Sequence, residues 1–305
     1  MAVLRCSVWT FLEKRGVYPI LFEWQGFRLY SHTAATFSAL VVVVALAVRK
    51  NRRSPEPLRI HWTGGLWLLL CGKVGAHLYW VVQYGSVNQF LGLEWIHKSG
   101  QVFYGGLLGG IAGALIYCYI RKIPYIKFID LIVPYVALGE AIVRIGCFLG
   151  GCCWGARTDL PWGVCYPKAY RGAYAEQLRV GLIHWYADHS LPVHPVQLYF
   201  SLVILLIVIA LVLLQRSRHF TGEISLAYLA LYGMARFFLE YFRADCPIHP
   251  PFHWTLSQTV ALCVGTCASV IWAITYRTTM CSPSAEREMP GNGTDSTPDC
   301  SRREC

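Results

Sequence analysis

The chain has 305 residues, of which 55% are hydrophobic and only 14% are charged, and its formal net charge is +10. Soluble domains carry about 25% charged residues, so this composition excludes a soluble globular protein, because almost every residue would have to lie in a core. The basic residues fall in short clusters between apolar runs, which excludes a nucleic-acid-binding protein. The composition therefore predicts an integral membrane protein surrounded by membrane lipids.

The segment 1–31 precedes the first long apolar run. Its own apolar stretch is short and is broken by Glu13, Lys14 and Arg15, which argues against a signal peptide. The segment is rich in aromatic residues, and the stretch FEWQGFRLY lies at its end. We expect it to be a lead-in that lies at the membrane interface.

Apolar windows of about 20 residues predict seven transmembrane helices. The predicted spans are 32–48, 61–82, 102–120, 128–149, 196–214, 222–242 and 254–276. The predicted fold class is therefore all-α, in a polytopic membrane protein with its seven-helix domain at residues 32–276.

The basic residues between the spans predict the orientation of the chain. Positive clusters follow the first, third and fifth spans, in RKNRRSPEPLR, RKIPYIK and QRSRH. Cytoplasmic loops carry an excess of lysine and arginine. We therefore expect the N-terminus outside and the C-terminus in the cytoplasm.

Two segments are predicted to lie outside the helices. The segment 150–195 is too long for a simple connector, and the orientation above makes it an external loop. The segment 277–305 is polar and rich in serine, proline and glycine. We expect it to be a disordered cytoplasmic tail.

Ionisable residues inside a membrane span are costly, and each is a candidate functional residue. The candidates within or at the edge of the predicted spans are Lys73, His77, Asp130, Glu140, Arg144, Arg236, Glu240 and Arg243. The spacing of five of them shows two charged stripes, because residues four apart share a helix face. One stripe is formed by Glu140 and Arg144, and the other by the i, i+4, i+8, i+11 series Tyr232, Arg236, Glu240 and Arg243.

The two stripes have two interpretations. In the first, the charges form interhelical salt bridges. In the second, three guanidiniums against two carboxylates leave a positive excess near the outer leaflet, where the fork of an arginine suits the phosphate of a lipid headgroup. Nearby glycines permit close approach, although Gly109 and Gly113 fit simple helix packing better. For the glycines of FYGG and GGCCWG, two interpretations stay open, namely helix packing and the close approach of a ligand.

The cysteines near the end of the fourth span also have several interpretations. Cys147, Cys152, Cys153 and Cys165 offer a zinc site, or a disulfide between Cys165 and either Cys152 or Cys153. Their gaps do not match paired C-x-x-C knuckles, and no nearby histidine has ligand spacing. We therefore expect these cysteines to be small packing residues, with no metal bound.

Six motifs, in chain order, resemble the prolipoprotein diacylglyceryl transferases, a family of seven-span enzymes of the bacterial cytoplasmic membrane. The motifs are YPILFEWQGFRLY, GKVGAHLYWV, FYGGLLGGIAG, DLIVPYVALGEAIVRIGCFLGGCCWG, HPVQLY and YGMARFFLEYFR. The fourth looks like the family signature, in which an aspartate precedes a Gly-Arg-x-Gly-Asn-Phe-x-Asn-Gly-Glu run. The likeness covers nearly the whole chain up to about residue 276.

The resemblance implies a reaction and a location. A diacylglyceryl group would move from phosphatidylglycerol to the lipobox cysteine of a preprolipoprotein, with glycerol phosphate as the leaving group. Phosphatidylglycerol and preprolipoproteins would be the partners of a multi-pass protein of the bacterial inner membrane. No cofactor is implied, because the leaving group is anionic and the nucleophile is the thiolate of the substrate itself.

The resemblance also implies roles for particular residues. Arg144 and Arg236 would hold the phosphate and its developing charge, Glu240 would orient Arg236, and Tyr232 and Arg243 would complete the headgroup site. Three further residues of the matching motifs, Gly146, His194 and Gln197, would contribute to substrate binding. Tyr104 would be a catalytic residue in the place of the family histidine.

Several positions depart from the family pattern. The signature asparagines are replaced by Cys147 and Gly150, the signature glutamate by Cys152, the second-span arginine by His77 and the glutamate after QLY by Phe200. Two alternatives to a transferase therefore stay open. One is a phospholipid-binding or accessory membrane protein with the same fold, and the other is a membrane thiol–disulfide protein that uses the clustered cysteines.

Overall fold

A computed structural model of the chain describes residues 20–24, 27–54, 58–84, 103–168, 172–244 and 254–281. Two strands come first, β1 (Ile20–Trp24) and β2 (Phe27–Tyr30). The helices are α1 (Ser31–Arg52), α2 (Thr63–Tyr84), α3 (Phe103–Arg121), α4 (Tyr125–Gly150), α5 (Ala173–Arg179), α6 (Val196–Leu214), α7 (Glu223–Leu239) and α8 (Leu256–Met280), with a 3₁₀ turn at Glu240–Phe242.

The long helices coincide with the apolar windows of the sequence. Within the described residues, α1, α2, α4, α6 and α8 are long and apolar enough to cross a membrane. The predicted spans 102–120 and 222–242 are also helical, as α3 and as α7 with its 3₁₀ turn. The mostly helical polytopic class is therefore confirmed, while the count of seven crossings and the orientation stay predictions.

A short β-hairpin precedes the helices and was not predicted from the sequence. β1 and β2 pair antiparallel, with Phe22 opposite Leu29. Leu21, Phe22 and Tyr30 are about half exposed, so the hairpin presents these apolar side chains rather than burying them, and the interfacial location of the lead-in stays a prediction. Residues 1–19 of that lead-in, and residues 282–305 of the predicted tail, lie outside the described residues.

The helices pack in pairs, and α4 contacts the largest number of other helices. α1 lies along α4, α2 along α3 and α7 along α8, while α6 contacts both α4 and α7. Between α4 and α6, the buried side chains Ala137, Ala141, Val196, Phe200 and Ile204 form one core. Small alanines on α4 let α6 approach closely, so side chains from α4, α6 and α7 meet at one end of the bundle.

Asp130 fixes the relation between α4 and α7. It is buried, and its carboxylate accepts hydrogen bonds from the backbone N–H of Gly222 at 2.6 Å and of Ser225 at 3.0 Å. These groups belong to the first turn of α7, where backbone donors lack intrahelical partners and the helix dipole favours a negative charge. Asp130 is therefore a structural residue, and it sets the position of the whole α7 stripe.

Glycines control the contact between α2 and α3. A Cβ at Gly109 would stand 2.4 Å from the carbonyl oxygen of Cys71 and 2.9 Å from the Cα of Gly75, and a Cβ at Gly105 would meet Tyr79 and the carbonyl oxygen of Gly75. These backbones touch. The packing role predicted for Gly109 is thus seen directly, and Gly105 of the FYGG motif serves the same contact.

We expect Gly109→Ala to lower stability by about 1–3 kcal/mol, because the added methyl group overpacks a backbone contact. The matched control is Gly110→Ala on the same helix, where a Cβ meets no atom within 4 Å. Away from tertiary contacts, alanine favours a helix by up to about 1 kcal/mol over glycine, so this variant should be neutral or slightly more stable. The measurement is the thermal midpoint in detergent, and equal midpoints for both variants would contradict the packing.

Candidate functional site

Two arginines from different helices face one aromatic ring at one end of the bundle. Arg144 lies near the end of α4 and Arg236 near the end of α7, whereas Phe200 lies in the first turns of α6. The guanidinium carbons are 4.8 and 5.1 Å from the centroid of the buried Phe200 ring. Cations are attracted to the face of an aromatic ring, and this ring keeps both guanidiniums together without neutralising either.

Glu140 connects Arg144 to α7. Its Oε1 accepts a hydrogen bond from a guanidinium nitrogen of Arg144 at 2.9 Å and another from the hydroxyl of Tyr232 at 2.8 Å. Both members of the ion pair are largely shielded from solvent. The i, i+4 pair predicted from the sequence is therefore present, and Tyr232 joins the two stripes by bonding to the carboxylate.

A second carboxylate, Glu240, lies between the two arginines of the α7 stripe. Its Oε2 is 3.3 Å from a nitrogen of Arg236 and 3.6 Å from a nitrogen of Arg243. Its Oε1 accepts a hydrogen bond from the hydroxyl of Thr255 at 3.2 Å. Glu240 is 3% exposed. It therefore orients Arg236 and Arg243 together, from the 3₁₀ turn that follows α7.

Tyr104 reaches this group through α8. Its hydroxyl donates to the hydroxyl oxygen of Ser257 at 3.4 Å, and Arg236 donates to the same oxygen at 3.4 Å. Ser257 stands in the first turn of α8. Tyr104 is thus two hydrogen bonds from Arg236 and supports the position of that guanidinium.

The remaining residues predicted for substrate binding do not all join the arginines. A Cβ at Gly146 would stand 2.4 Å from the Cβ of Ala35, so Gly146 serves the contact between α4 and α1. His194 packs edge-on against Tyr199 and Phe242, and burial lowers its pKa. Gln197 is buried, and its side-chain nitrogen donates to the carbonyl of Cys152 at 2.7 Å.

The segment predicted as an external loop is a folded cap where the structure describes it. It contains α5 and short bridges, among them Gly155 with Arg243 and Val164 with Val193. Tyr166 is fully buried with Phe148 and Val193 in a small core. The bridge to Arg243 ties the cap to the end of the α7 stripe, so the cap covers one side of the arginine site.

The cysteines that follow α4 form a cluster. Gly151 adopts a left-handed conformation with φ 71°, and the chain turns back so that the sulfur atoms of Cys147, Cys152 and Cys153 lie within 4.8 Å of one another. Hydrogen bonds from the other two thiols lower the pKa of Cys153 against the effect of burial, and the charges of Arg243 and Arg144 act in the same direction. The cluster is therefore adjacent to the arginine site.

The group of arginines around Phe200 suits a desolvated anion. Among the described residues, Arg144, Arg236 and Arg243 form ion pairs with Glu140 and Glu240, so three guanidiniums accompany two carboxylates in this group. Among the described residues, the buried Nε of Arg144 has no hydrogen-bond partner, and a buried donor of that kind is costly unless a ligand satisfies it. A phosphate between the guanidiniums would satisfy it with a charge-assisted hydrogen bond.

Sequence reasoning missed three contributors to the site. Phe200 entered only as a departure from a family pattern, and Thr255 and Ser257 were not among the candidate site residues. The hydroxyl residues at the start of α8 bond to residues 15 and 21 positions away along the chain. No periodicity within one helix reveals such contacts, although a Thr-Leu-Ser run that begins an apolar span is a candidate helix start.

Comparisons with known proteins agree on one family. The family model described as prolipoprotein diacylglyceryl transferase matches residues 19–276. Similar proteins that carry the name phosphatidylglycerol–prolipoprotein diacylglyceryl transferase include those of three bacteria. That of Clostridium tetani is 29% identical over 74% of this chain and 86% of its own length. That of Methylibium petroleiphilum is 34% identical over 74% and 80%, and that of Pseudoalteromonas atlantica is 29% identical over 85% and 88%.

Proposed function

This chain belongs to the prolipoprotein diacylglyceryl transferase family, and we propose that it transfers the diacylglyceryl group of phosphatidylglycerol to the cysteine thiol of a prolipoprotein at the site around Arg144 and Arg236. The products are a thioether on the prolipoprotein and glycerol phosphate. The observation that carries the proposal is the pair of guanidiniums over the Phe200 ring, one of them with a buried nitrogen that no described residue satisfies.

The residues support the transfer by stabilising charge. When the acceptor thiolate attacks the glyceryl carbon, the carbon–oxygen bond to the phosphate breaks and negative charge increases on the phosphate. Arg144 and Arg236 are held in place before the reaction, so they stabilise that charge at little reorganisation cost. Glu140 and Glu240 are positioning residues, because Glu140 forms an ion pair with Arg144 and Glu240 forms ion pairs with Arg236 and Arg243.

Tyr104 takes a supporting role in this proposal. A phenol is protonated at neutral pH and is therefore a poor proton acceptor compared with the imidazole that the family has at this position. Its hydrogen bond to Ser257, which also receives a bond from Arg236, makes Tyr104 a positioning residue. Activation of the acceptor thiol must then come from another group.

The site has to face the lipid and the exported acceptor together. We infer that the chain crosses the membrane seven times, with the N-terminus outside, and that it lies in the bacterial inner membrane. The basic clusters at 49–59, 121–127 and 215–219 support this orientation. It places the arginine site and its cap at the outer face, where exported prolipoproteins present their cysteines.

The topology gives a direct prediction. A reporter fused after Arg277 should read as cytoplasmic, and one inserted at Pro167 in the cap should read as external. A fusion after Arg121, next to a basic cluster, is the internal control and should also read as cytoplasmic. The opposite result at Pro167 would place the arginine site at the inner leaflet and contradict the orientation.

The activity is tested with the purified full-length chain and two assays run together. Transfer of labelled diacylglyceryl from phosphatidylglycerol to a lipobox peptide measures the reaction, and phosphatidylglycerol binding measures the site. Expression of the gene should also restore lipoprotein modification in cells depleted of their own transferase. Tight lipid binding without transfer in either system would instead identify a phospholipid-binding accessory protein.

A further inference from the structure

The three clustered cysteines are held in an unusual local conformation. The backbone N–H of Cys152 donates to the carbonyl of Cys147 at 3.2 Å, which closes the turn at the end of α4. Cys153 has a φ of 59°, a left-handed conformation that residues other than glycine adopt rarely. Cys147 is buried, whereas Cys152 and Cys153 are partly exposed. The turn thus brings the three sulfur atoms together, and the cluster is partly accessible at Cys152 and Cys153.

The spacing of the sulfur atoms suits a thiophilic metal ion. Zinc binds thiolates at about 2.3 Å in tetrahedral geometry, which places two ligating sulfur atoms about 3.8 Å apart. The three sulfur atoms already lie within 4.8 Å of one another, so small side-chain rotations bring them to ligand distance. Three protein ligands with one open position is the arrangement of catalytic zinc sites, whereas structural sites close all four.

The surroundings also suit such an ion. Three thiolates and one Zn²⁺ together carry one negative charge. Arg144 lies one turn before Cys147 on α4, and Arg243 is bridged to Gly155, two residues after Cys153, so two guanidinium-bearing residues flank the cluster. The buried side chain of Gln197 holds the carbonyl of Cys152 at 2.7 Å. Contacts of this kind fix the backbone that carries the ligands and are usual around metal sites.

We propose that Cys147, Cys152 and Cys153 bind one zinc ion and that the open fourth position takes the thiol of the acceptor prolipoprotein. This inference rests on the proposed transferase function and deepens it. It replaces the expectation from the sequence that these cysteines only pack. That expectation relied on the gaps between them, and the left-handed turn at Gly151 removes the obstacle that the gaps presented.

The zinc site supplies the activation that Tyr104 does not. A thiol that coordinates zinc loses its proton, which passes to solvent, and the resulting thiolate attacks the glyceryl carbon. A carbon–sulfur bond forms, the carbon–oxygen bond to the phosphate breaks, and the phosphate leaves with the electron pair while the arginines hold it. The step is redox-neutral. The thioether product is neutral and binds zinc weakly, so it leaves the site.

The first experiment measures metal content. The full-length chain, purified in detergent without chelators in zinc-supplemented medium, should contain about one zinc ion per chain by mass spectrometry. Replacing Cys147, Cys152 and Cys153 with serine should remove it, while Cys263→Ser with Cys267→Ser, two exposed cysteines of α8, should leave it in place. Bound Cd²⁺ should give a thiolate charge-transfer absorption that the triple variant lacks. Wild-type protein without zinc or cadmium binding would overturn the proposal.

The second experiment separates this inference from the transferase function itself. Removing zinc with a chelator should lower transfer to a lipobox peptide about a hundredfold, the scale of assisted proton removal, and should leave phosphatidylglycerol binding unchanged. Added Zn²⁺ should restore transfer. Full transfer by the zinc-free chain, or by a chain in which two of the three cysteines form a disulfide, would overturn the zinc site and leave the transferase function intact. Bound zinc without any transfer would contradict the transferase function and, with it, the role of the fourth position.

Discussion

Replacing Arg236 with alanine is expected to lower the rate of diacylglyceryl transfer about a hundredfold to a thousandfold, because removal of one preorganised donor to a transition-state anion costs about 3–4 kcal/mol. Arg236 is 15% exposed and is held by Glu240, Ser257 and the Phe200 ring. Arg144→Lys should lose most activity as well. Lysine keeps the charge, but it loses the planar fork that stacks on Phe200 and binds phosphate through two hydrogen bonds.

The matched control for these variants is Arg179→Ala. Arg179 lies on α5, pairs with Glu176 within the cap and is 71% exposed, and exposed ion pairs contribute little. Transfer and phosphatidylglycerol binding should stay at the wild-type level. If Arg144→Lys and Arg236→Ala also turn over like wild type, the charges are interhelical salt bridges and the reaction takes place elsewhere.

Replacing Glu240 with alanine is expected to destabilise the protein by about 3–5 kcal/mol, which is the usual cost of removing one partner from a buried ion pair. The carboxylate lies between Arg236 and Arg243 and is almost fully buried. Its loss removes the carboxylate that pairs with both Arg236 and Arg243. The measurement is the thermal midpoint in detergent, combined with the fraction of monodisperse protein after solubilisation.

Glu240→Gln separates the structural role from the positioning role. Glutamine keeps the volume of the side chain and still accepts the hydrogen bond from Thr255, so most of the folded protein should survive purification. Transfer should fall by an amount between those of wild type and Arg236→Ala, because Arg236 is loosened but still able to reach the phosphate. Glu176→Gln, in the exposed pair on α5, should behave as wild type. Equal activities for both glutamine variants would show that Glu240 does not position the arginines.

The sequence alone determined the membrane class, the position of the helices and the family. The family can be read from short sequence motifs. The membrane class and the helix positions can be read from apolar windows, because a window of about 20 residues that spans the bilayer must satisfy its backbone hydrogen bonds internally. α6 (Val196–Leu214) coincides with the predicted span. The charged stripes were also predictable, because 3.6 residues per turn place Arg144 beside Glu140 and Arg236 beside Glu240 on their own helices.

Only the tertiary structure decided which stripes meet and what lies between them. The stacking of Arg144 and Arg236 on Phe200 needs α4, α6 and α7 to converge at one end, and that convergence depends on alanine-sized contacts in α4 and on Asp130 bound to the start of α7. Gly146, predicted to lie near the substrate, proved to face α1. The cysteines came together through one left-handed turn at Gly151. Helix periodicity is a property of a single segment, whereas these contacts join residues far apart in the chain, so packing between helices had to determine them.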